Sequence, residues 1–357
     1  MLFLSAKKWG NHVDDIYQIL DVITRSNNNP MVLATIIKVE GSSYKKEGST
    51  MLLIENEPRV GMLSVGCLEE DLEERAKQVW FSREPSTVRY DLSNEDDLLW
   101  GQGAGCNGVI TVLLEPVTEN LSRNLLTLKE CLNAQKYVTR IIQFTNEFEM
   151  KADLYVVEDG SSFGYCEMDP NLMESFFIKS NPYDDIRGIK SIKDSSDLFF
   201  IHQIVPKPRL FIFGGGEDAR PLVSFAARVG FWINVIDWRP ALCNGNYFPN
   251  ADEFILGTPE EVMKKIFFTP KDFVVIMTHQ FQKDQYFLSY LLKLNLFYLG
   301  ILGPKKRTER LLGVSVVPET IHSPIGLSIG AKGAEEIAIS IVGEMIDKMR
   351  NHKKYSL

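Results

Sequence analysis

The sequence predicts an α/β protein in two parts. The first is an N-terminal mixed α/β (α+β) domain over residues 1–206, and the second is a C-terminal doubly wound parallel sheet over residues 207–357. Three observations lead there. The 357-residue length suits two domains of ordinary size. The run Pro206-Lys207-Pro208 interrupts regular structure, because proline lacks an amide donor. Beyond it, short apolar runs alternate strictly with amphipathic ones, the pattern of βαβ units.

The elements follow in order. Asp14 to Ser26 places Ile16, Ile19, Leu20, Val22 and Ile23 at helical spacing and stops at the breaker NNNP. MVLATIIKVE and STMLLIE read as strands, joined by GSSYKKEG, a loop too long for a tight hairpin. GMLSVGC reads as a short β-like run that passes through Gly66 and Cys67 into a helix whose first turn is acidic. GQGAGCNG precedes the strand VITVLLEP, a helix is expected from Glu119 to Gln135, and KYVTRIIQF, ADLYVVEDG and LFFIHQIV read as strands. Residues 169–196 show no clean period. In the C-terminal part, strands are expected at LFIF, FWINVID, DEFI, DFVVIMTH and LFYLGILG. The helices between them are ARPLVSFAARVG, TPEEVMKKI and QKDQYFLSYLLKL, and GAEEIAISIVGEMIDKMR forms the last one.

Composition narrows the function. With 39 Lys+Arg against 47 Asp+Glu the net charge is −8, which disfavours a nucleic-acid partner. No apolar run reaches the roughly 20 residues of a membrane span, and the N-terminus lacks the apolar stretch of a secretory signal. Cys67, Cys106, Cys131, Cys166 and Cys243 are odd in number and contain no CxxC pair, so a reducing cytoplasm is the expected setting.

Gly214 to Ala219, GGGEDA, matches G-x-G-x-x-A with a strand before it and a helix after it, the Rossmann-like arrangement. Gly214 allows the tight turn, with Gly215 inside it. Gly216 lets the backbone approach a phosphate at the helix N-terminus. Asp237 ends the second strand, where a carboxylate receives a ribose 2′-hydroxyl, so a non-phosphorylated ribose is expected. The competing reading of this motif is a strand-to-helix turn that binds nothing. His279 lies at the C-terminal end of a buried strand, the ligand edge of an open α/β sheet. Lys305, Lys306 and Arg307 stand in the same relation to the next strand, either as an anion site or as a solvated helix start, and His322 has less support. Cys67 and Cys106 each sit beside glycine, as Gly66-Cys67 and Gly105-Cys106, where a thiol is either activated or simply a small buried residue. Glu69, Glu70 and Asp71 either belong to a site or complement a helix dipole, and the second reading suffices to explain them.

Taken together, ATIIKVEGSSYKKEGSTMLL, GMLSVGCLEEDL, GQGAGCNGVITVLLEP, LFIFGGGEDARPLVSFAARVGF, VIDWRPALCNGNYFPNAD, VVIMTHQFQKD, FYLGILGPKKRTERLL and PIGLSIGAKGAEEIAISIVGEMI resemble the XdhC/CoxI family, the accessory factors of xanthine dehydrogenase and related molybdenum hydroxylases. The resemblance spans nearly the whole chain. It implies a protein that binds the molybdenum cofactor, a molybdopterin, supports its sulfuration and inserts it into the apo-enzyme, more a chaperone than a catalyst. The family's cysteine motifs fall on Cys67 and Cys106, which the resemblance places in possible contact with molybdenum. Its phosphate turn falls on Gly214 and Gly216, and its histidine on His279. A cysteine desulfurase-type sulfur donor and homodimerisation are also implied. The family often carries two glycines before the first cysteine, where this chain has Val65-Gly66, and often histidine where it has Glu217. The alternative is an NAD-dependent oxidoreductase, with Gly214, Gly216 and Asp237 holding NAD(P) and His279 as acid or base, or a nucleotide-sensing regulator using the same domain.

Overall fold

The computed structural model describes residues 15–25, 29–64, 66, 68–92, 108–165, 186–192 and 196–351. They form two compact units, one within residues 13–206 and the other within 207–357.

The first unit is built on two antiparallel sheets. Strands β1 (Met31–Gly41), β2 (Thr50–Ile54), β3 (Glu57–Gly61), β4 (Ser86–Asp91) and β5 (Gly108–Pro116) run in the order β3-β2-β1-β5-β4. Strict alternation in β1 gives the sheet two apolar faces. Val32, Ala34 and Ile36 pack under helix α2 (Glu69–Ser82) against Leu72, Ala76 and Val79. Leu33 faces helices α1 (Asp15–Thr24) and α3 (Glu119–Asn133). The second sheet comprises β6 (Val138–Phe144), β7 (Met150–Val157), β8 (Ser162–Tyr165), β9 (Arg187–Ser191) and β10 (Leu198–Ile204), in the order β8-β7-β6-β10-β9. Ile142, Phe144 and Phe200 of this sheet meet Ile37 and Leu113 of the first.

A charged cluster is buried between the sheets. Arg140 binds Asp153 through Nε (2.8 Å) and Nη2 (2.9 Å) and Glu115 through Nη2 (2.5 Å). Burial drives the Glu115 carboxyl above its usual range against the pull of Arg140. The opposite residue on β10, His202, has its pKa lowered to about 3 by burial and by the charges of Arg187 and Arg140.

Four strands lie outside the sequence expectations. They are β3, β4, β8 and β9, each an edge strand with few buried side chains and so little apolar alternation to detect. Of the β-like run GMLSV, the residues Met62, Leu63 and Ser64 after the end of β3 at Gly61 are not strand, and Val65 lies outside the described residues.

The second unit shows the expected alternation. Its strands are β11 (Arg209–Phe213), β12 (Trp232–Asp237), β13 (Glu253–Leu256), β14 (Phe273–Ile276) and β15 (Tyr298–Ile301), all parallel in the order β13-β12-β11-β14-β15. Its helices are α4 (Ala219–Arg228), α5 (Pro259–Lys265), α6 (Phe281–Leu291), α7 (Lys305–Leu312) and α8 (Gly333–Arg350). The TPEE start of α5 is a full capping box between Thr258 and Glu261. The strand order reverses between β11 and β14, so a crevice opens at their C-terminal ends. Among the described residues no helix is long and apolar enough to cross a membrane.

The low His202 pKa makes a titration prediction. The folded state keeps this ring neutral, whereas the unfolded chain protonates it near 6.5. Its contribution is therefore complete above about pH 6.5 and is lost as pH falls toward about 3. The variant His202→Gln should show a shallower loss of stability between pH 6.5 and 4 in urea melts, compared at equal ionic strength.

Candidate functional site

The site at the C-terminal edge of the parallel sheet starts with β11, whose buried Leu210, Phe211, Ile212 and Phe213 leave the core at Gly214. Gly214 has φ +118° and lies so close to β14 that a Cβ would stand 2.5 Å from the Met277 carbonyl oxygen, so only glycine fits. Gly214 donates to the Ile236 carbonyl (2.9 Å), which ties the turn to β12. Gly215 donates to Asp237 Oδ2 (2.7 Å). The N–H groups of Gly216, Glu217 and Asp218 have no hydrogen-bond acceptor among the described residues and precede the first turn of α4. Successive unpaired amides at a helix N-terminus form an anion nest.

Asp237 has a different partner set from the one expected. Its side chain is fully buried, and it accepts from Gly215 N, Arg239 N (2.8 Å), Arg239 Nε (2.9 Å) and Arg239 Nη2 (2.8 Å). Four donors fill the four acceptor positions of a carboxylate. Burial pushes its pKa up, but the bonds from Arg239 and Gly215 outweigh it and hold the group below its usual range. The geometry thus gives Asp237 the work of fixing the turn and Arg239, with no acceptor position left over for a ribose hydroxyl.

His279 stands where β14 ends, with φ +60°, a left-handed conformation uncommon for a residue with a Cβ. Its Nε2 lies 2.6 Å from Asp218 Oδ2, and its side chain is 62% exposed. Beneath it, Thr278 Oγ1 donates to Asp284 Oδ1 (2.5 Å), and Arg307 Nη2 reaches Asp284 Oδ2 (2.6 Å). Of the three basic residues after β15, Arg307 is thereby structural, whereas Lys305 and Lys306 are exposed. Trp238 carries two cations, with Arg239 Cζ 4.5 Å and Lys283 Nζ 3.8 Å from its ring centroid. A groove of about 400 Å³ flanks α4, lined in part by Arg220, Ser224, Tyr247 and Asn250, and borders the loop only at Glu217.

His322 belongs to another cluster. Its Nδ1 lies 3.0 Å from Glu344 Oε1, its ring stacks on Tyr298, and the Tyr298 hydroxyl donates to Glu344. This braces α8 against β15.

In the first unit, the candidate ligand Cys67 lies outside the described residues, as do Gly105 and Cys106. Among the described residues no group of three or more His, Cys, Asp or Glu has metal-binding proximity. Gly66 has φ +110° and open space where a Cβ would be. The loop around it is organised by Glu69, which in the sequence is sufficiently explained as a complement to the helix dipole. This carboxylate is buried and accepts from Leu63 N (3.3 Å), Ser64 N (2.8 Å), Leu68 N (3.2 Å) and the Ser64 hydroxyl. Burial raises its pKa, but these bonds overcome it and lower it. Ser64 Oγ in turn accepts from Gly66 N (3.3 Å) and Leu68 N (3.2 Å). Nothing in the spacing of Ser64 and Glu69 marks such a clamp.

The comparisons with known proteins agree along the chain. The XdhC and CoxI family model matches residues 24–91, the XdhC Rossmann domain matches 210–345, and the BH1974-like central domain matches 119–205. A Bacillus subtilis (strain 168) protein, named as a probable subunit of xanthine dehydrogenase, is 40% identical over 93% of this chain and 97% of its own length. The chain belongs to the XdhC and CoxI family. A Bacillus halodurans protein, whose crystal structure is described as that of a xanthine dehydrogenase, has a TM-score of 0.83 and 44% identity, covering 97% of this chain and 98% of that one. An uncharacterized Escherichia coli (strain K12) protein, YqeB, is 30% identical over 41% of this chain and 28% of its own length. In this XdhC and CoxI family chain the Rossmann-domain match spans Gly214, Gly215, Gly216, Asp237 and His279.

Two substitutions separate fold from site. Gly214→Ala should cost at least ~2 kcal/mol in urea unfolding, because the new Cβ meets backbone at a positive φ. Gly216→Ala, whose Cβ meets only the movable Asp218 carboxylate, should stay within about 1 kcal/mol of wild type yet weaken pyrophosphate binding by calorimetry. In the same assay, Asp218→Asn removes a negative charge beside the nest and should tighten pyrophosphate roughly threefold to tenfold.

Proposed function

We propose that this chain is a xanthine dehydrogenase accessory protein, which binds the molybdenum cofactor, supports its sulfuration and inserts it into an apo molybdenum hydroxylase. Membership of the XdhC and CoxI family supports the reading, as does the Bacillus subtilis relative named for xanthine dehydrogenase. The observation that carries it in this chain is the nest of unpaired amides at Gly216, Glu217 and Asp218 over the glycine turn. It fits the phosphate end of a molybdopterin.

In the second unit the phosphate end would meet the amides of Gly216, Glu217 and Asp218, with Gly214 and Gly215 shaping the turn and His279 at the sheet edge; the family resemblance implies Cys67 and Cys106 for the metal. When bound, the cofactor supplies the metal centre whose terminal sulfur the served enzyme needs. The chain's own work is binding and orientation. The three amides offset phosphate charge, Asp237 keeps the turn rigid by holding Gly215, and Asp218 is held by His279 so that its carboxylate is partly compensated. Glu69 fixes the backbone at Ser64 and Leu68, on either side of Gly66. The partners that go with this function are the apo-enzyme, a cysteine desulfurase-type sulfur donor and a second copy of the chain, all in the cytoplasm.

NAD(P) at the same loop is the second reading, supported by the β13-β12-β11-β14-β15 order and by the place of His279 at its switch point. Co-expression in a host that makes molybdenum cofactor, followed by anaerobic purification, decides between them. Wild type should carry pterin and molybdenum, and Cys67→Ala, Cys106→Ala and Gly216→Val should each lose most of both. A wild-type protein that retains no pterin but binds NAD(H), with only Gly216→Val abolishing that binding, would overturn the accessory role.

A further inference from the structure

We infer that Arg239 and Lys283, gathered on Trp238, form a second anion subsite beside the glycine loop, one that takes a terminal phosphate monoester on a ligand whose other phosphate occupies the Gly216–Asp218 nest. The inference rests on reading that nest as a phosphate site, and it reverses the expectation of a non-phosphorylated ribose drawn from Asp237.

The argument begins with what Asp237 cannot do. A ribose diol is read by a carboxylate that accepts from its hydroxyls, and here both carboxylate oxygens are already filled by Gly215 and Arg239. The same contacts leave Arg239 half used. Nε and Nη2 face Asp237, whereas Nη1 has no partner among the described residues, and the side chain is 40% exposed. Its guanidinium is therefore oriented by one buried carboxylate with a free edge outward, as a fork that binds a phosphate oxygen requires.

Lys283 reaches the same place from α6, the helix after β14. Among the described residues its Nζ bonds only Gln280 Oε1 (2.5 Å), and it rests on the Trp238 ring, which leaves donors unspent. The two cations thus come from different elements to one aromatic ring. Asp237 offsets the charge of Arg239, so the surplus positive charge at this rim is that of Lys283, while Arg239 contributes its oriented donors. Of the other acids nearby, Asp218 faces His279 and Glu217 accepts from the Tyr247 hydroxyl (2.6 Å) beside Arg220. A neutral diol gains little from this rim, whereas a phosphate monoester dianion gains charge-assisted bonds from both cations.

The test is calorimetry on the full chain with adenosine 2′,5′-bisphosphate against 5′-AMP. The bisphosphate should bind about tenfold tighter or more, the scale of one charge-assisted hydrogen bond. Lys283→Met should remove most of that advantage while 5′-AMP stays within about twofold, since the 5′-phosphate sits in the nest and only the 2′-phosphate touches this side chain. NADP+ against NAD+, and coenzyme A against its dephospho form, identify which monoester source fits, and preference for the phosphorylated member of either pair supports the subsite. Equal affinity within all three pairs, or a preference untouched by Lys283→Met, overturns the subsite and leaves the nest standing. If wild type binds neither 5′-AMP nor the bisphosphate, nest and subsite fall together.

Discussion

The second unit depends on one buried carboxylate. Asp237 lies at the end of β12 with no solvent contact, and an unpaired charge there would be strongly destabilising. It is tolerated because four N–H groups converge on it, one from the glycine turn and three from Arg239. That requirement fixes the path of Gly214–Gly216 and aims a guanidinium along the rim. Since Gly215 is committed to Asp237 and Gly214 to β12, the amides left for an anion are those of Gly216, Glu217 and Asp218.

The first unit uses the same device at Glu69, where a buried carboxylate gathers the amides of Leu63, Ser64 and Leu68. In both places a glycine-bearing loop is held from beneath by an acid whose acceptors point into protein. The physical return is order, since a loop fixed before binding loses less entropy when a ligand arrives. His279 adds local strain at the edge of the parallel sheet, held in a left-handed conformation with its ring against Asp218.

Much of this was legible in the sequence, unevenly and for identifiable reasons. The alternating elements from Arg209 onward were readable because each buries a continuous apolar run or a helical stripe. Gly214 was readable because a strand-to-helix turn packed against a neighbouring strand excludes Cβ. The edge strands β3, β4, β8 and β9 were not, because a strand exposed on its edge needs few apolar side chains. Glu69 was hidden for a different reason. An acid in a helix's first turn has the same sequence signature whether it faces solvent or folds back under the preceding loop.

What the sequence alone determined is the parallel sheet with its glycine turn and the placing of Asp237 and His279 at strand ends, because periodicity and spacing are local properties; the family showed in the resemblance of motifs dispersed along the chain. What only the tertiary structure decided is the use of those residues. Whether Asp237 meets a ligand or an arginine, and whether Lys283 and Arg239 share one tryptophan, depends on side chains from different elements meeting in space. Hydrogen-bond saturation of a carboxylate follows from those meetings and has no linear signal in the chain.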